Sequence, residues 1–386
     1  MNVTVDVSPA VHHRAGLGRY ASELITALDE VAGDGVTLRA FYTEAQTARP
    51  EGIIATMPQS KSNLGYKPWR LAAMASHFTR VPFDNFYGRP DLVHATDHLL
   101  PHVRARSVFT LHDLIFEVYP EHHKRYNHAF LKLMMPRFLR AADHIIAVSE
   151  HTKRDAERLY GIDPAKMTVI HEGVHPRFRP ATDLATLEAV RRKYNLPGQY
   201  ILHVSTIEPR KNLGTLLDAL AALKPEFPAL KLVLVGKKGW LYEPFFEKLA
   251  ASGLESEVVF PGFVAEEDLP AVYQLATVFA FPSFYEGFGL GPLEALASGV
   301  PVVCSDASSL PEVVGNAALL FPPTDTAALV AALRRVLVDE ALRRDLQRRG
   351  PEWASRFTWE RTARETLAVY ESVAGRAAYR ENSQDE

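Results

Sequence analysis

Short hydrophobic stretches alternate with longer amphipathic segments along the first half of the chain. Residues 3–7, 36–42, 91–95, 107–111, 144–149 and 166–171 have the continuous apolar character of buried strands. Between them the apolar residues recur at helical spacing, as in residues 18–29 and in the helix that we expect to start at Glu150 behind the N-cap Ser149. This alternation predicts a parallel sheet that is covered by helices on both faces.

The same alternation restarts in the second half, after a charged helical segment at 184–194. Its predicted strands are 200–204, 231–235, 258–260, 278–281, 301–304 and 318–321, and a helical tail follows at 325–376, interrupted near Pro351. We therefore predict an α/β chain with two doubly wound, Rossmann-like domains, at 1–178 and 199–360, joined by a linker at 179–198. Two such domains that face each other form a cleft at the carboxyl ends of their strands.

A glycine-rich loop between a predicted strand and a predicted helix carries two carboxylates, Glu286 and Glu294. The strand ends at residue 281, and the helix is expected over 292–298. A helix N-terminus presents free backbone N–H groups and partial positive charge to an anion. The carboxylates add acceptors for sugar hydroxyls, so the segment fits a nucleotide-sugar. Its other interpretation is a turn in which Glu294 serves only as a charge at the helix start.

Arg210 and Lys211 occupy a second polar loop, which follows the predicted strand 200–204. Adjacent cations at the carboxyl end of a strand suit a diphosphate that must be held and then stabilised as it leaves. The alternative is an exposed charged loop in which Asn212 caps the next helix.

The chain resembles the retaining glycosyltransferases of family 4, which have the GT-B fold. The resemblance rests on Glu286 and Glu294 at the family's spacing, on the segments 210–212 and 111–114, and on the N-terminal loop 16–20. The sequences of these segments are most similar to those of the bacterial mannosyltransferases that assemble surface polysaccharides. In that family the final helix packs back on the first domain, which predicts such a helix at about 361–386, with Trp353, Phe357 and Trp359 as anchors.

The resemblance also implies a role for each matched residue. It places His112 beside the donor sugar, Glu286 on the sugar hydroxyls, Glu294 on the ribose, and Arg210 and Lys211 on the diphosphate. The implied contacts of the donor through backbone groups are Gly16, Gly18, Phe288, Gly289 and Leu290. Gly262 and Phe263 follow the predicted strand 258–260, where backbone groups can meet the edge of the nucleobase, although Pro-Gly is also an ordinary turn. The glycines are equally compatible with tight turns, and His112 with a structural histidine. Asp113 is expected to fix either the histidine tautomer or its loop.

No Asp-x-Asp motif occurs in the chain. We therefore expect the leaving diphosphate to be neutralised by Arg210, Lys211 and the helix N-terminus, without a metal ion or another cofactor. The neighbouring His122 and His123 are interpreted as a solvated helix start and not as a metal site. In the family, retention needs no enzymic nucleophile, because the departing phosphate oxygen accepts the proton of the acceptor on the same face of the sugar.

Composition restricts the partners and the compartment. The net charge is −3, which gives no reason to expect nucleic acid binding. Residues 1–180 carry 22 Lys and Arg against 19 Asp and Glu, so the first half could favour an anionic membrane surface, although scattered solvated charges explain the excess equally well. The lone Cys304 fits a reducing compartment, and no apolar run reaches the ~18 residues that span a bilayer. These features predict a cytoplasmic protein that is soluble or peripheral to the membrane.

The sequence leaves the donor and the acceptor open. The resemblance favours GDP-mannose as donor and a glycan or lipid-linked saccharide as acceptor. UDP-glucose or UDP-N-acetylglucosamine is the main alternative donor, and a non-catalytic nucleotide-sugar-binding protein is a weaker one. The resemblance assigns the acceptor to the first domain, where residues 66–70 and 81–87 mix aromatic and basic side chains. These segments are interpreted either as a carbohydrate or lipid surface or as a packed connection.

Overall fold

A computed structural model describes residues 1–44, 49–180 and 183–382. The chain divides into two compact units. The N-terminal unit contains Met1–Val118 and Arg125–Gly173, together with the chain from Thr358 onward, and the C-terminal unit contains Tyr119–Lys124 and Val174–Phe357. Each unit is built on one parallel sheet, so the prediction of two doubly wound domains is confirmed.

The N-terminal unit has a seven-stranded sheet in the order β3-β2-β1-β4-β5-β6-β7. Its strands are β1 (Asn2–Asp6), β2 (Thr37–Glu44), β3 (Gln59–Gly65), β4 (Leu92–Ala95), β5 (Arg106–Leu111), β6 (His144–Ala147) and β7 (Met167–Val169). The helices among them are α1 (Ser8–Val11), α2 (Ala15–Val31), α3 (Ile53–Thr56), α4 (Tyr66–Thr79), α5 (Ile115–Val118), α6 (Arg125–Ala141) and α7 (Glu150–Tyr160).

The C-terminal unit has a six-stranded sheet in the order β10-β9-β8-β11-β12-β13. In chain order its elements are α8 (Leu184–Lys193), β8 (Tyr200–Val204), α9 (Leu213–Leu223), β9 (Lys231–Val235), α10 (Glu243–Ser252), β10 (Val258–Val259), α11 (Leu269–Gln274), β11 (Val278–Phe281), α12 (Leu290–Ala297), β12 (Val302–Ser305), α13 (Leu310–Val314), β13 (Leu319–Phe321), α14 (Thr326–Val338) and α15 (Glu340–Ala354). The last helix, α16 (Trp359–Asn382), belongs to the N-terminal unit.

The strand order reverses once in each sheet, and this reversal determines where a ligand can bind. In the N-terminal unit β1 pairs with both β2 and β4, and in the C-terminal unit β8 pairs with both β9 and β11. At such a point the connections leave in opposite directions and open a crevice at the carboxyl ends of the strands. The loops after β1, β4, β8 and β11 are therefore the ones to inspect for a site.

Large apolar side chains fill the two cores. In the N-terminal unit Trp69 and Tyr87 pack on Phe41, with ring centroids 5.2 and 4.3 Å away, and all three are buried. The sequence did not decide whether segments 66–70 and 81–87 form a binding surface or a packed connection. The structure shows that Trp69 and Tyr87 of these segments belong to this core. In the C-terminal unit leucines and valines of α9 and α14 cover one face of the sheet. No helix within the described residues is both long enough and apolar enough to cross a membrane.

The boundaries of several elements differ from the prediction. The main segment of the C-terminal unit begins at Val174. Helix α8, which the sequence placed in the linker, packs within this unit, where Tyr194 and Lys193 bind Asp268 at 2.8 and 2.6 Å. The helical tail breaks at two places: at Asp339, which caps α15, and at residues 355–358, close to the interruption predicted near Pro351, which itself lies inside α15. Residues 181–182 of the predicted linker and 383–386 of the predicted last helix lie outside the described residues.

The last helix is held within the N-terminal unit. Trp359 packs edge-on against Tyr20 at 5.8 Å, and the hydroxyl of Tyr370 lies 2.6 Å from Nδ1 of His94. Of the three anchors proposed for this helix, only Trp359 is in the N-terminal unit. Trp353 and Phe357 pack in the C-terminal unit, where the indole N–H of Trp353 donates to the carbonyl of Val313 at 2.8 Å.

Candidate active site

The loop that follows β8 brings two cations to the reversal point of the C-terminal sheet. Arg210 and Lys211 lie in a short 3-10 turn, Pro209–Lys211. Asn212 ends this turn in a left-handed conformation, and its side-chain amide donates to the carbonyls of Pro282 and Pro323 at 3.1 and 2.8 Å. These bonds attach the loop after β8 to the loops after β11 and β13, so the positions of both cations are fixed.

Glu286, from the loop after β11, pairs with both cations. Its Oε2 accepts from Nη1 of Arg210 at 2.8 Å, and its Oε1 accepts from Nζ of Lys211 at 2.6 Å. Burial would raise the pKa of Glu286, but Arg210 and Lys211 outweigh burial and lower the pKa to about 2. Burial and Arg210 lower the pKa of Lys211, against the opposing effect of Glu286. The sequence prediction that these three residues share one site agrees with this geometry.

A second carboxylate of this site, Glu208, was not identified from the sequence. Its Oε1 accepts a hydrogen bond from Nε of Arg210, and the residue is buried. Its Oε2 is also buried and has no hydrogen-bond partner within the described part of the chain. Two carboxylates therefore balance two cations, and the site is close to neutral instead of cationic.

The loop that carries Glu286 is held by two serines that the sequence did not reveal. The backbone N–H of Glu286 donates to Oγ of Ser308 at 2.8 Å. The hydroxyl of Ser309 contacts the carbonyls of Glu286 and Phe288 at 3.0 and 2.6 Å. Gly289 then enters α12 at φ +126°, where any side chain would strain the backbone. The helix α12 starts at the next residue, Leu290, so the predicted order of strand, loop and helix is confirmed.

Glu294 lies one turn into α12 and is buried beside an aromatic hydroxyl. Its Oε2 accepts from the hydroxyl of Tyr273 at 2.9 Å. Phe263, one of the two predicted nucleobase contacts, is exposed, whereas Glu294 is buried. Gly262 and Phe263 follow β10, and the side chain of Phe263 is 88% exposed. Within the C-terminal unit the structure thus brings Glu286 to the two cations and leaves Phe263 in solvent.

His112 follows β5 in the N-terminal unit and is buried. Its Nε2–H donates to the carbonyl of Thr96 at 3.0 Å, and its Nδ1 lies 3.7 Å from Oε1 of Glu172. Asp113 accepts from the backbone N–H of Ile115 at 3.2 Å. Of the two roles expected for Asp113, the structure supports fixing the loop, while Thr96 and Glu172 orient the imidazole.

The two glycines after β1 have different surroundings. Both lie in the first turns of α2. A Cβ at Gly18 would come within 2.8 Å of the carbonyl oxygen of Pro9, so Gly18 is required for close packing of α1 on α2. A Cβ at Gly16 would meet nothing within 4 Å. Only Gly16 therefore has open space for a ligand to approach.

A polar cluster at the carboxyl ends of β1 and β4 was also missed by the sequence analysis. Nη1 of Arg14 binds Oδ2 of Asp97 at 2.9 Å, and the guanidinium lies 3.7 Å from the ring centroid of Tyr66. Burial raises the pKa of the neighbouring Asp6 to about 7. No sequence motif marks this cluster, because its members come from three separate segments.

The prediction that His122 and His123 form a solvated helix start is wrong. His122 ends a 3-10 turn, Pro120–His122, that packs in the C-terminal unit. Its carbonyl accepts from the indole N–H of Trp240 at 2.6 Å, and its ring stacks on Tyr119 at 5.2 Å. Burial lowers the pKa of His122. No group of three or more His, Cys, Asp or Glu residues able to hold a metal ion occurs among the residues that the structure describes.

Two family models match the chain, one in each half. The model described as "Glycosyltransferase Family 4" matches residues 14–178, and the model "Glycosyl transferases group 1" matches residues 188–353. The chain is 30% identical to the O-antigen chain mannosyltransferase B of Escherichia coli, over 96% of this chain and 99% of that protein.

Solved structures share the fold. Sucrose-phosphate synthase from Thermosynechococcus elongatus superposes with a TM-score of 0.77 at 22% identity, over 97% of this chain and 99% of that one. HepE of Anabaena in complex with UDP-glucose superposes with a TM-score of 0.70 at 20% identity, over 96% of this chain and 100% of that one. With relatives across both units, the chain belongs to the family 4 glycosyltransferases and is an enzyme of the GT-B fold.

Proposed function

We propose that this enzyme transfers mannose from GDP-mannose to a glycan or a lipid-linked saccharide, with retention of the anomeric configuration and without a metal ion. The observation that supports this most is the ion-paired group of the half-buried Arg210 with the buried Lys211 and Glu286 at the reversal point of the C-terminal sheet. The choice of mannose rests on the Escherichia coli relative, which is named as a mannosyltransferase and matches nearly the whole chain.

In this proposal the cations act on the leaving group. The bond between the anomeric carbon and the phosphate oxygen breaks, and the acceptor oxygen forms the new bond to that carbon on the same face. The proton of the acceptor hydroxyl passes to the departing phosphate oxygen, so no residue of the enzyme needs to be the base. Arg210 and Lys211 stabilise the negative charge that develops on the diphosphate, which is the role that a metal ion has in other transferases.

Glu286 and Glu294 are assigned to different parts of the donor. Glu286, held by the cations, is placed to accept hydrogen bonds from hydroxyls of the transferred sugar. Glu294 lies one turn into α12 and is assigned to the ribose, with Tyr273 fixing its orientation. The backbone N–H groups around Gly289 and Leu290 supply further donors to the phosphates.

The N-terminal unit would supply the acceptor side. His112 is oriented by Thr96 and Glu172, and Gly16 leaves space for the donor phosphates. The cluster of Arg14, Asp97 and Tyr66 offers a charged pair and an aromatic face, which is a combination that suits a saccharide. A lipid-linked acceptor places the enzyme at the cytoplasmic face of a membrane.

A UDP-sugar donor is the alternative. HepE was solved with UDP-glucose, but a likeness at 20% identity extends only to the fold. The two donors are distinguished by incubating the enzyme with GDP-mannose, UDP-glucose and UDP-N-acetylglucosamine in separate reactions, and measuring the nucleoside diphosphate released. We expect GDP release to be fastest. Faster release of UDP would contradict the donor assignment and leave the reaction class intact.

A further inference from the structure

The two ring nitrogens of His112 both face oxygen atoms that accept hydrogen bonds. Nε2 lies 3.0 Å from the carbonyl oxygen of Thr96, and Nδ1 lies 3.7 Å from Oε1 of Glu172. A carbonyl oxygen has no hydrogen to donate, so the proton of the first contact belongs to Nε2. A neutral imidazole has only one N–H group, so its Nδ1 would then direct a lone pair at the carboxylate. A second proton on Nδ1 replaces this repulsion with attraction between opposite charges.

Little solvent reaches this pair of side chains. The side chain of His112 is 9% exposed and that of Glu172 is 7% exposed. A buried carboxylate needs a counter-charge, and His112 is the only ion-pair partner of Glu172 among the residues that the structure describes. Imidazole holds a proton more strongly than a carboxylate does, so a proton shared by this pair belongs to Nδ1. Burial therefore favours a protonated His112 beside an ionised Glu172.

The other groups around His112 do not oppose a positive charge there. Besides Glu172, the nearby titratable or charged side chains are Tyr20, His94, Asp97, His98 and Asp113, with Arg14 beyond Asp97. Burial lowers the pKa of His94 to about 3 and also lowers the pKa of His98, so both are neutral at pH 7. Burial raises the pKa of the Tyr20 hydroxyl, which is neutral as well. The remaining neighbours are carboxylates, of which Asp97 is balanced by Arg14.

We infer that Glu172 keeps His112 doubly protonated at neutral pH, so that the imidazole is a fixed positive charge in the N-terminal unit. His94 provides a contrast in the same sheet. Its ring nitrogens lie 2.6 and 2.7 Å from the hydroxyls of Tyr370 and Thr110, and a hydroxyl can either donate or accept. A neutral imidazole satisfies both contacts of His94, whereas only an imidazolium satisfies both contacts of His112.

The charge state decides what His112 can do in the proposed reaction. With a proton on each nitrogen, the ring has no lone pair with which to remove the proton of the acceptor hydroxyl. It acts instead through its charge, which stabilises negative charge on the donor as the diphosphate leaves. Glu172 is then a positioning residue that acts through His112. This consequence rests on the proposed function, whereas the charge of His112 does not.

NMR of the full-length enzyme, labelled with ¹⁵N in its histidine rings, tests the inference directly. The nitrogen shifts of each ring show whether it carries one proton or two. The signals of His112 are identified by nuclear Overhauser effects to the ring of Tyr20, whose centroid is 4.7 Å away. At about pH 7.5 we expect two protonated nitrogens in His112 and one in His94. In Glu172→Gln the new amide can donate to a bare Nδ1, so His112 should carry one proton and keep its orientation.

The dependence of turnover on pH tests the link with the reaction, with release of nucleoside diphosphate as the measurement. Glu172→Gln should lose turnover as the pH rises through about 6.5, where an ordinary imidazole loses its proton. We expect a rate within about twofold of the wild type at pH ~5.5 and at least about tenfold lower at pH ~8. A purely structural role of Glu172 would lower the rate equally at every pH.

A matched control lies in the same unit. Oε1 of Glu117 accepts from the hydroxyl of Tyr160 at 2.9 Å, away from His112 in the proposed scheme. Glu117→Gln therefore makes the same chemical change at a partly buried glutamate and should keep the pH profile of the wild type.

The possible outcomes separate the inference from the proposed function. One protonated nitrogen in His112 of the wild type at about pH 7.5 would overturn the inference, and that measurement needs no variant. Two protonated nitrogens in Glu172→Gln at the same pH would overturn the role of Glu172. If the NMR result is as expected but Glu172→Gln keeps the wild-type pH profile, the charge of His112 stands and its part in the proposed reaction is wrong.

Discussion

The charges of Arg210 and Lys211 are balanced by Glu208 and Glu286 before any donor binds. A diphosphate that reaches these cations must compete with carboxylates for their hydrogen bonds. The affinity for nucleoside diphosphate is therefore the difference between two charge-assisted interactions, each worth about 1.5–3 kcal/mol. Substitution of either carboxylate changes that difference.

Glu208 is the simpler case, because its carboxylate accepts a hydrogen bond from Arg210 and is assigned to no part of the proposed donor sugar. Glu208→Gln removes the competing charge and keeps the shape of the side chain. We expect GDP to bind about tenfold more tightly to this variant, measured by calorimetric titration. The matched control is Glu226→Gln, which breaks an exposed pair with Arg334 at 2.7 Å elsewhere in the C-terminal unit and should leave the affinity for GDP unchanged. Weaker binding of GDP to Glu208→Gln would show that Glu208 positions Arg210 for the phosphate.

Glu286 should matter for stability as well as for transfer. Glu286→Gln leaves the buried Lys211 without its counter-charge, which costs about 3–5 kcal/mol of unfolding free energy at neutral pH. We expect GDP to raise the melting temperature of this variant more than that of the wild type, since the phosphates replace the missing charge. Equal shifts in both proteins would argue against phosphate binding at Lys211.

The pH dependence of this effect follows from the depressed pKa. Glu286 has a folded pKa of about 2 against a reference value of 4.5, so its ionised form stabilises the fold above pH ~4.5. That contribution is lost as the pH falls from about 4.5 towards 2. The difference in unfolding free energy between wild type and Glu286→Gln should therefore shrink over this window in denaturant titrations. If the folded pKa of Glu286 stayed at its reference value, this difference would not change between about pH 6 and about pH 3, and such a result would contradict the ion pair.

The sequence could identify Glu286, Glu294, Arg210 and Lys211, because each lies in a recognisable segment of a few residues. Their partners could not be identified in this way. Ser308, Tyr273 and Glu172 meet the site residues only through the fold, and no spacing along the chain links them. The same limit explains why the neutrality of the site was missed, since Glu208 reads as an ordinary loop residue.

At the scale of elements, the order of strand, loop and helix was predictable wherever hydrophobic strands alternate with helices. The region between β2 and β4 was not. No helix was predicted at residues 66–70, yet they begin α4, and Pro68 lies in its first turn, where proline costs no hydrogen bond. The polar strand β3 also lacks the apolar run by which buried strands are recognised.

The start of α2 gives a test at this scale. Gly18→Ala places a Cβ against the carbonyl of Pro9, so we expect it to lower the unfolding free energy by about 1–3 kcal/mol. Gly16→Ala has open space and should leave stability nearly unchanged, yet reduce turnover if donor phosphates approach there. Thermal melts and rates of nucleoside diphosphate release separate the two effects. Full activity of Gly16→Ala would remove this glycine from the donor site.

At the scale of the whole molecule, two parallel-sheet units place their polar loops at the carboxyl ends of strands. The reversal point of the C-terminal sheet carries the two cations, Glu286 and Glu294. In the N-terminal sheet the Arg14 cluster lies at the reversal point, and His112 follows the strand β5 beside it. This division agrees with an enzyme that binds donor and acceptor through different units. The sequence predicted the division because the strand pattern repeats.

The most direct test is to follow the reaction of GDP-α-mannose with methyl α-mannoside by NMR, in the presence of EDTA, for the wild type and for Arg210→Ala. We expect an α-mannosidic product with the wild type, at a rate that EDTA does not change. Arg210→Ala should react slower by orders of magnitude while staying folded, because it loses charge stabilisation of the leaving group. A β-linked product, an absolute requirement for added Mg²⁺, or wild-type turnover in Arg210→Ala would contradict the account.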